Sequence, residues 1–184
     1  MSEESSPESM SWSAPFEELS VGQRFSSPQR PVRDTDVIVF AALTGDWHPQ
    51  HCDPHWAADS PFGERIAHGM LILSLAVGLV PLDPQRVLAL RRVSDVVFKR
   101  PVRLEEAIHV AGEIAALRPI DEHAGLVDFS WQIRNQDDAL VARAGVQVLW
   151  SCGAKLDVPL GDPAAWQEPI TGGRAPGEFV PLPL

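Results

Sequence analysis

The sequence has few cysteines, fewer cationic than anionic side chains, and no apolar run long enough to cross a membrane. Its two cysteines, Cys52 and Cys152, are too few for a disulfide framework and fit a reducing, cytoplasmic location. The net charge of −10 opposes binding to nucleic acid, because that affinity depends on cationic neutralisation of phosphates. The longest apolar stretch, from Ile66 to Pro81, is shorter than the roughly 20 residues that span a bilayer. We therefore expect neither a nucleic-acid partner nor a membrane partner.

The two ends of the chain differ in composition from its centre. Residues 1–13 are rich in Ser and Glu and lack the basic and apolar regions of a secretory signal, which predicts a disordered N-terminus. Residues 154–184 are rich in Pro and Gly, which disfavours regular helix or strand and predicts a loose C-terminal extension. Residues 14–153 remain as one domain, large enough to bury a sizeable core without a disulfide or a metal.

A short amphipathic helix is predicted over residues 37–44, where side chains recur on one helical face at i, i+3, i+4 and i+7. Asp34 or Thr35 is expected to cap its start, and Gly45 suits the position that follows its end. The β-branched run at 37–39 disfavours helix mildly, because such side chains lose rotamer freedom there. The terminal signals nevertheless favour a helix.

Two further helices are predicted downstream. Asp53 is a favoured N-cap residue, and Pro54 is pre-organised for the first helical position, so a helix is expected to start there. The stretch from Ile66 to Leu79 is apolar around nearly its whole circumference, which is typical of a helix buried on all sides. We expect this helix to form the hydrophobic centre of the domain.

From Leu90 onward the hydrophobic period drops to two, which indicates half-buried strands. Polar turns at 121–125 and 135–138 separate successive runs, so consecutive strands are expected to pair antiparallel. With residues 93–102 added, these runs predict a meander of about four strands. A sheet with one apolar face must bury it, and the apolar helix is the available cover. The sequence thus predicts an α+β fold in which an antiparallel β-sheet wraps around a central hydrophobic α-helix.

Chemically reactive side chains crowd into the segment just before this central helix. Residues 44–54 contain two acids, two imidazoles and a thiol, namely Asp46, His48, His51, Cys52 and Asp53. Taken singly, each has an ordinary structural interpretation, as a turn or helix-capping group or as a bridge between loop and core. Taken together, they indicate a candidate site.

A metal site is one alternative for this segment. His51 and His55 have the i, i+4 spacing of a helical metal-binding pair, but Pro54 interrupts the turn between them. A loop site remains possible, built from Asp46, His48, His51 and Cys52. The favoured interpretation has neither a metal nor another cofactor.

The run Thr44-Gly45-Asp46-Trp47-His48-Pro49-Gln50-His51-Cys52-Asp53 resembles a family motif, Thr-Gly-Asp-x-Asn-Pro-x-His-x-Asp. That motif belongs to the MaoC-like (R)-specific enoyl-CoA hydratases and 3-hydroxyacyl dehydratases of the hot-dog superfamily. Downstream, Ala67-His68-Gly69-Met70 looks like the family segment that opens the central helix, and Val97-Phe98-Lys99-Arg100-Pro101-Val102 looks like its strand motif. The resemblance covers the chain from about Phe16 to Trp150. It implies a hot-dog fold, usually dimeric, that acts on acyl thioesters of coenzyme A or acyl carrier protein.

The chain departs from the family pattern at two places. His48 stands where the motif has Asn, which changes the hydrogen bonds available near a reacting water. Glu105-Glu106 replaces the Gly-Asp pair that usually follows the strand motif. The acid and the base of the motif are retained as Asp46 and His51, so catalysis remains the leading interpretation.

The implied reaction is reversible hydration of a trans-2-enoyl-CoA to an (R)-3-hydroxyacyl-CoA. It requires removal of a proton from water, delivery of a proton to the α-carbon, and stabilisation of negative charge on the thioester oxygen. Asp46 and His51 are expected to converge on one water molecule, with the carboxylate in a largely dry pocket where it is a stronger base. The N–H of Gly69, at the start of the central helix, is expected to receive the oxyanion. A glycine placed for tight packing is the alternative.

Substrate binding is assigned to a local cluster of cations in an otherwise acidic chain. Five basic residues that suit phosphate groups lie close together, at Arg91, Arg92, Lys99, Arg100 and Arg103. A solvated strand surface is the alternative for each of them. His48 and His68 complete the expected binding residues, and His68 is either structural or shapes the entrance to the site.

The expected assembly is a homodimer, because an antiparallel sheet around one helix leaves an edge strand with unpaired backbone groups. Two other functions stay open. A hot-dog thioesterase would share the fold and the substrate class but hydrolyse the thioester. A non-catalytic hot-dog subunit would only pair with an active partner, and His48 in place of Asn keeps that alternative open.

Overall fold

A computed structural model describes residues 12–153, so the predictions for residues 1–11 and 154–184 lie outside the described residues. After a short 3₁₀ turn at Phe16–Glu18, the elements in chain order are β1 (Arg24–Ser26), β2 (Arg30–Pro31), α1 (Asp34–Thr44), α2 (Pro49–Cys52), α3 (Pro54–Ala58), α4 (Gly69–Leu79), β3 (Val87–Phe98), β4 (Ala107–Pro119), β5 (Ala124–Asn135) and β6 (Leu140–Ser151). Helices before a long run of strands give the predicted α+β architecture.

The strands form one antiparallel sheet in the order β1-β4-β5-β6-β3, and β2 also pairs with β4. β4, β5 and β6 form the predicted meander. The turns between them use the expected polar side chains: the Asp121 carboxylate accepts the N–H of His123 at 2.8 Å, and the Asn135 side chain accepts the N–H of Asp137 at 3.1 Å. The short strands β1 and β2 were not predicted.

The first step of the predicted meander is wrong, because β3 pairs with β6 and not with β4. Residues 99–106, which join β3 to β4, leave the sheet and find backbone partners on the helical side of the domain. The Val102 carbonyl accepts the Ala67 N–H at 2.8 Å, and the Glu105 N–H donates to the Val32 carbonyl at 2.8 Å. As a result β3 is an edge strand of the sheet.

The central helix is shorter and less completely buried than the sequence predicts. It begins at Gly69 and not at Ile66, because residues 66–67 are extended and hydrogen-bonded to the 99–106 connection. Its core face joins the sheet in one buried cluster through Leu71, Ile72, Leu73 and Ala76. Burial on all sides is wrong for a single chain, since Met70 is 56% and Val77 is 40% exposed. One apolar stripe of the helix therefore faces outward.

The folded domain begins earlier than predicted. Trp12, assigned from composition to a disordered N-terminus, is buried in the core. Its ring makes an edge-to-face contact with Phe25, with centroids 5.4 Å apart, and its carbonyl accepts the Asp83 N–H at 3.3 Å. Burial of one large aromatic side chain offsets the ordering cost of several polar neighbours, so the boundary placed after residue 13 is wrong.

The predicted start of α1 is also corrected. Arg33 occupies the N-cap position, and the Asp36 carboxylate accepts its N–H at 2.9 Å. Asp34 lies inside the helix and forms an ion pair with Arg65 at 2.8 Å instead of capping. A carboxylate at the third helical position thus replaces the expected N-cap side chain.

Within residues 12–153, no helix is both long and apolar enough to cross a membrane.

Candidate active site

Asp46 is held by the end of α1. The helix closes at Gly45, which adopts a left-handed conformation with φ of 78° that glycine adopts without steric cost, as predicted for this residue. The Thr44 hydroxyl donates to the Phe40 carbonyl at 2.7 Å and accepts the Asp46 N–H at 3.3 Å. These local contacts fix the backbone that carries the Asp46 carboxylate.

His51 is carried by the short helix α2. His48 is the N-cap of this helix, and its Nδ1 accepts the Gln50 N–H at 3.1 Å. His51 Nδ1 lies 2.7 Å from the Ile66 carbonyl, and because a carbonyl oxygen can only accept, Nδ1 carries the hydrogen. The Nε2 atom of neutral His51 therefore has a free lone pair with which to accept a proton.

Pro54 separates α2 from α3, as the sequence predicts. Asp53 is the N-cap of α3, where its carboxylate accepts the N–H groups of His55 at 2.8 Å and Trp56 at 3.1 Å. His51 and His55 therefore belong to different helices, and their i, i+4 spacing does not form a helical metal pair. The predicted capping role of Asp53 is confirmed.

His68 joins the two halves of the site. It immediately precedes α4 and is only 2% exposed. Its Nε2 lies 3.0 Å from the Asp46 backbone carbonyl and 3.9 Å from the Asp46 carboxylate. Its ring stacks on the His51 ring, with centroids 3.8 Å apart and planes 30° apart. The sequence left His68 as a structural residue or as a binding residue that shapes the entrance, and its burial supports the structural alternative.

The fold thus brings the side chains of Asp46, His51 and His68 together in one cluster. One ligand-type atom from each of the three side chains lies within 4.8 Å of the others. Among residues 12–153, no such convergent group contains His48 or Cys52, so the loop metal site considered from the sequence is not assembled. His48 instead uses its Nδ1 to cap α2, and its ring centroid lies 6.1 Å from that of His51.

His51 and Asp46 lie in different electrostatic environments. Burial lowers the pKa of His51, the Ile66 carbonyl partly offsets that effect, and the nearby imidazole of His68 lowers the pKa further. His51 is therefore uncharged at neutral pH. The Asp46 side chain is 53% exposed in a single chain, so the expectation of a largely dry pocket around this carboxylate is wrong for one protomer.

Gly69 is the first residue of α4, as expected for a candidate oxyanion donor. N–H groups in a first helical turn lack intrahelical acceptors and point toward the positive end of the helix dipole. A Cβ atom on Gly69 would lie 2.9 Å from Phe98 Cζ, so a side chain at this position would make the ring of Phe98 move. The close-packing interpretation and the oxyanion interpretation thus both have structural support.

An open cavity of about 330 Å³ adjoins these residues. Two of the candidate catalytic residues, His51 and Gly69, line it together with apolar side chains and two cations, whereas Asp46 does not. The walls are formed by His51, Phe62, Ile66, Ala67, Gly69, Ile72, Phe98, Lys99, Arg100, Pro101, Val102 and Val141. The sequence interpretation missed the aromatic pair Phe62 and Phe98. Position in the family-like strand motif was the available signal for Phe98, and no sequence signal pointed to Phe62.

The predicted cluster of five cations is divided by the fold. Lys99 and Arg100 line the cavity, although Arg100 also donates to the Leu140 carbonyl at 2.8 Å. Arg103 forms an ion pair with Glu64 at 2.6 Å. The remaining two lie elsewhere: Arg91 donates to the Gln147 side chain, and Arg92 lines a separate groove beside Asp128 and Arg143. A single phosphate-binding patch of all five residues is therefore wrong for one chain.

Comparisons with known proteins point to one family. Residues 17–128 match the family model described as the MaoC like domain. Over 166 residues the chain is 32% identical to the 3-hydroxybutyryl-CoA dehydratase of Methylorubrum extorquens, covering 87% of this chain and 94% of that protein. It is 35% identical over 100 residues to the (R)-specific enoyl-CoA hydratase of Aeromonas caviae, covering 54% of this chain and 74% of that protein.

Solved structures give the same result for the fold. The R-hydratase of Pseudomonas aeruginosa in its unliganded form superposes with a TM-score of 0.64 at 30% sequence identity, covering 86% of this chain and 96% of that one. The hot-dog fold expected from the resemblance is confirmed. A family model that matches more than half of the chain, together with these relatives, shows that the chain belongs to the MaoC-like family of hot-dog hydro-lyases.

Proposed function

We propose that this chain catalyses the reversible hydration of trans-2-enoyl thioesters to (R)-3-hydroxyacyl thioesters. The observation that carries the proposal is the convergence of Asp46 and His51 beside the N-terminus of α4, which begins at Gly69. The names of relatives, which include 3-hydroxybutyryl-CoA dehydratase and (R)-specific enoyl-CoA hydratase, support both the reaction and its stereochemistry.

In the hydration direction, the Nε2 lone pair of His51 takes a proton from a water molecule that the Asp46 carboxylate orients. The oxygen of that water bonds to the β-carbon, and the Asp46–His51 pair returns a proton to the α-carbon, so that one water is added in total. His51 is suited to this step because the Ile66 carbonyl fixes its tautomer at 2.7 Å and its lowered pKa keeps it neutral.

Negative charge develops on the thioester oxygen during this reaction. We assign its stabilisation to the Gly69 N–H, because the start of an 11-residue helix combines unpaired donors with a favourable dipole. The absence of a side chain at Gly69 lets the thioester approach the backbone closely. Dehydration runs through the same groups in reverse.

The thioester is carried by coenzyme A or by acyl carrier protein, both of which present a phosphorylated pantetheine. Lys99 and Arg100 at the cavity wall are the cations best placed to meet phosphate oxygens. Arg103 is already paired with Glu64, and Arg91 with Gln147, so we expect their contributions to be small. The cavity of about 330 Å³ fits a short acyl chain or one section of a longer path.

We further propose that the active form is a homodimer. β3 is a 12-residue edge strand with exposed apolar side chains, and Leu90 is 49% and Phe98 47% exposed. The outward stripe of α4 adds Met70 and Val77. A second copy would cover unpaired backbone groups and apolar surface together. Such coverage would also remove water from the half-exposed Asp46 side chain.

The activity is tested by supplying purified protein with crotonyl-CoA and longer enoyl-CoAs while following both conjugated absorbance and free thiol. We expect absorbance to fall without thiol release. Thiol release would indicate a hot-dog thioesterase, the first alternative raised by the sequence. Inactivity on every chain length would favour the non-catalytic subunit, the alternative that His48 keeps open.

A further inference from the structure

His68 is a buried polar residue for which the proposed reaction has no chemical step. It is 2% exposed, so it does not reach bulk solvent. Its side-chain polar contacts with the described residues are with Asp46, at the backbone carbonyl and at the carboxylate. Its ring stacks on His51 at a centroid separation of 3.8 Å. One side chain therefore contacts both members of the proposed acid–base pair.

The contact with Asp46 fixes the tautomer of this ring. Nε2 lies 3.0 Å from the Asp46 carbonyl oxygen, which can only accept, so Nε2 carries the hydrogen. Nδ1 then has a lone pair, and within the described part of the chain no donor reaches it. A buried nitrogen without a partner is unfavourable for stability. An apolar side chain would avoid that penalty, so packing alone does not explain a histidine here.

The ring contacts extend the argument to His51. The Phe40 ring, on α1, lies against the His68 ring with centroids 5.2 Å apart. The His51 ring stacks on the His68 ring with planes 30° apart. The helix that leads to Asp46 and the helix that carries His51 thus meet at this one ring. A displacement of His68 would therefore act on the residues that these two helices position, Asp46 through its hydrogen bond and His51 through the ring stack.

We propose that His68 is a positioning residue, which holds the Asp46 backbone by its Nε2–H and the His51 ring by stacking, so that both face the same water molecule. The role rests on the proposed hydratase function of Asp46 and His51. We expect removal of this role to lower kcat about a hundredfold, because displacement of reacting groups by about 1 Å can lower a rate by that factor.

Two substitutions separate the contacts. His68→Phe keeps an aromatic ring against His51 and removes the donor, while His68→Gln keeps an N–H donor near the Nε2 position and removes the ring. Because His68 is buried and does not line the cavity, we expect His68→Phe to lower kcat about a hundredfold and to leave KM within about twofold. His68→Gln is expected to recover about a tenth of the wild-type kcat through its hydrogen bond to the Asp46 carbonyl.

The matched control is His123→Phe, which changes the same residue type at a side chain that is 82% exposed in a turn. This variant is expected to retain wild-type kcat and KM. Thermal unfolding of each variant verifies the fold, and His68→Gln carries the test if His68→Phe does not fold. Wild-type kcat in a folded His68 variant, or a rise in KM at unchanged kcat, would overturn the proposal.

A second readout does not depend on turnover. The ionisable side chains that face His51 are Asp46, His48 and His68, and the two imidazoles lower the pKa of His51 while Asp46 raises it. NMR titration of the His51 ring in His68→Phe is therefore expected to give a higher pKa than in wild type, and His123→Phe is expected to give no change. An unchanged His51 pKa in His68→Phe would overturn the proposed contact between His68 and His51. Inactive wild-type protein would refute the proposed function while this titration still tests the placement of His68.

Discussion

Gly69→Ala is expected to separate the two interpretations of this glycine. The added methyl group would lie 2.9 Å from Phe98 Cζ and 3.0 Å from Cε1 and Cε2, whereas relaxed carbon contacts are about 3.5–4.0 Å. The ring must therefore move by roughly 0.5–1 Å. The proposed dimer would cover Phe98 and raise the cost, but in a single chain, where Phe98 is 47% exposed, the ring can shift outward, so the cost should be near the low end of overpacking, about 1 kcal/mol. That corresponds to a loss of about 3 °C in Tm.

The expected fall in activity is larger than so small a loss of stability would cause. In the proposed mechanism the thioester oxygen approaches the Gly69 N–H, and the methyl group would obstruct that approach, so we expect kcat/KM for crotonyl-CoA to fall at least about tenfold. Phe98→Ala is the matched control, because it removes the clashing ring and leaves the glycine intact.

The double variant Gly69→Ala/Phe98→Ala supplies the decisive comparison. It restores space around the new methyl group and leaves the approach to the N–H obstructed. If Gly69 serves the oxyanion, the double variant stays at least about tenfold below Phe98→Ala in kcat/KM, measured from the loss of enoyl absorbance. If Gly69 serves packing alone, the two proteins have equal kcat/KM, and that result would refute the oxyanion assignment.

Three other predictions concern the site and the assembly. Asp46→Asn and His51→Ala should each lower kcat by at least about two orders of magnitude, and the double variant should be little worse than the worse single one; near-wild-type turnover in a folded single variant would remove that residue from the mechanism. Because the pKa of His51 lies below its ordinary value, the midpoint of the acid limb of log(kcat/KM) should lie below about pH 6.5. A midpoint above that pH would contradict a neutral His51 base. Sedimentation at micromolar concentration should give twice the 20.1 kDa of one chain, and an active monomer would exclude the homodimer.

Features that depend on neighbouring residues were predicted correctly. Asp53 caps α3 through N–H groups two and three residues ahead, and Gly45 ends α1 with a positive φ that few other residues adopt. Alternation of apolar residues gave β4, β5 and β6 because each has one face on the core. The proximity of Asp46 and His51 was predictable because α2 starts directly after the short loop between them.

Features that depend on distant partners were not predictable in the same way. His68 reaches the Asp46 carbonyl across 22 positions in sequence, and Arg91 reaches Gln147 across 56. Sequence proximity of Arg91 to Lys99 therefore did not translate into a shared surface. Trp12 is another example, because the polar composition of the N-terminus predicted disorder although this one aromatic side chain is buried in the core.

The extended pair Ile66 and Ala67 couples the site to the cooperative unfolding of the domain. Ile66 receives the His51 ring at its carbonyl and donates its N–H to the Gln50 carbonyl at 3.4 Å, while Ala67 donates to the Val102 carbonyl. Local opening of this pair would release α2 on one side and the connection from β3 on the other. Such opening is therefore expected to have a free energy close to that of global unfolding. In a denaturant titration, the loss of turnover should coincide with the loss of the sheet, and amide exchange at Ala67 should be as slow as in the sheet interior.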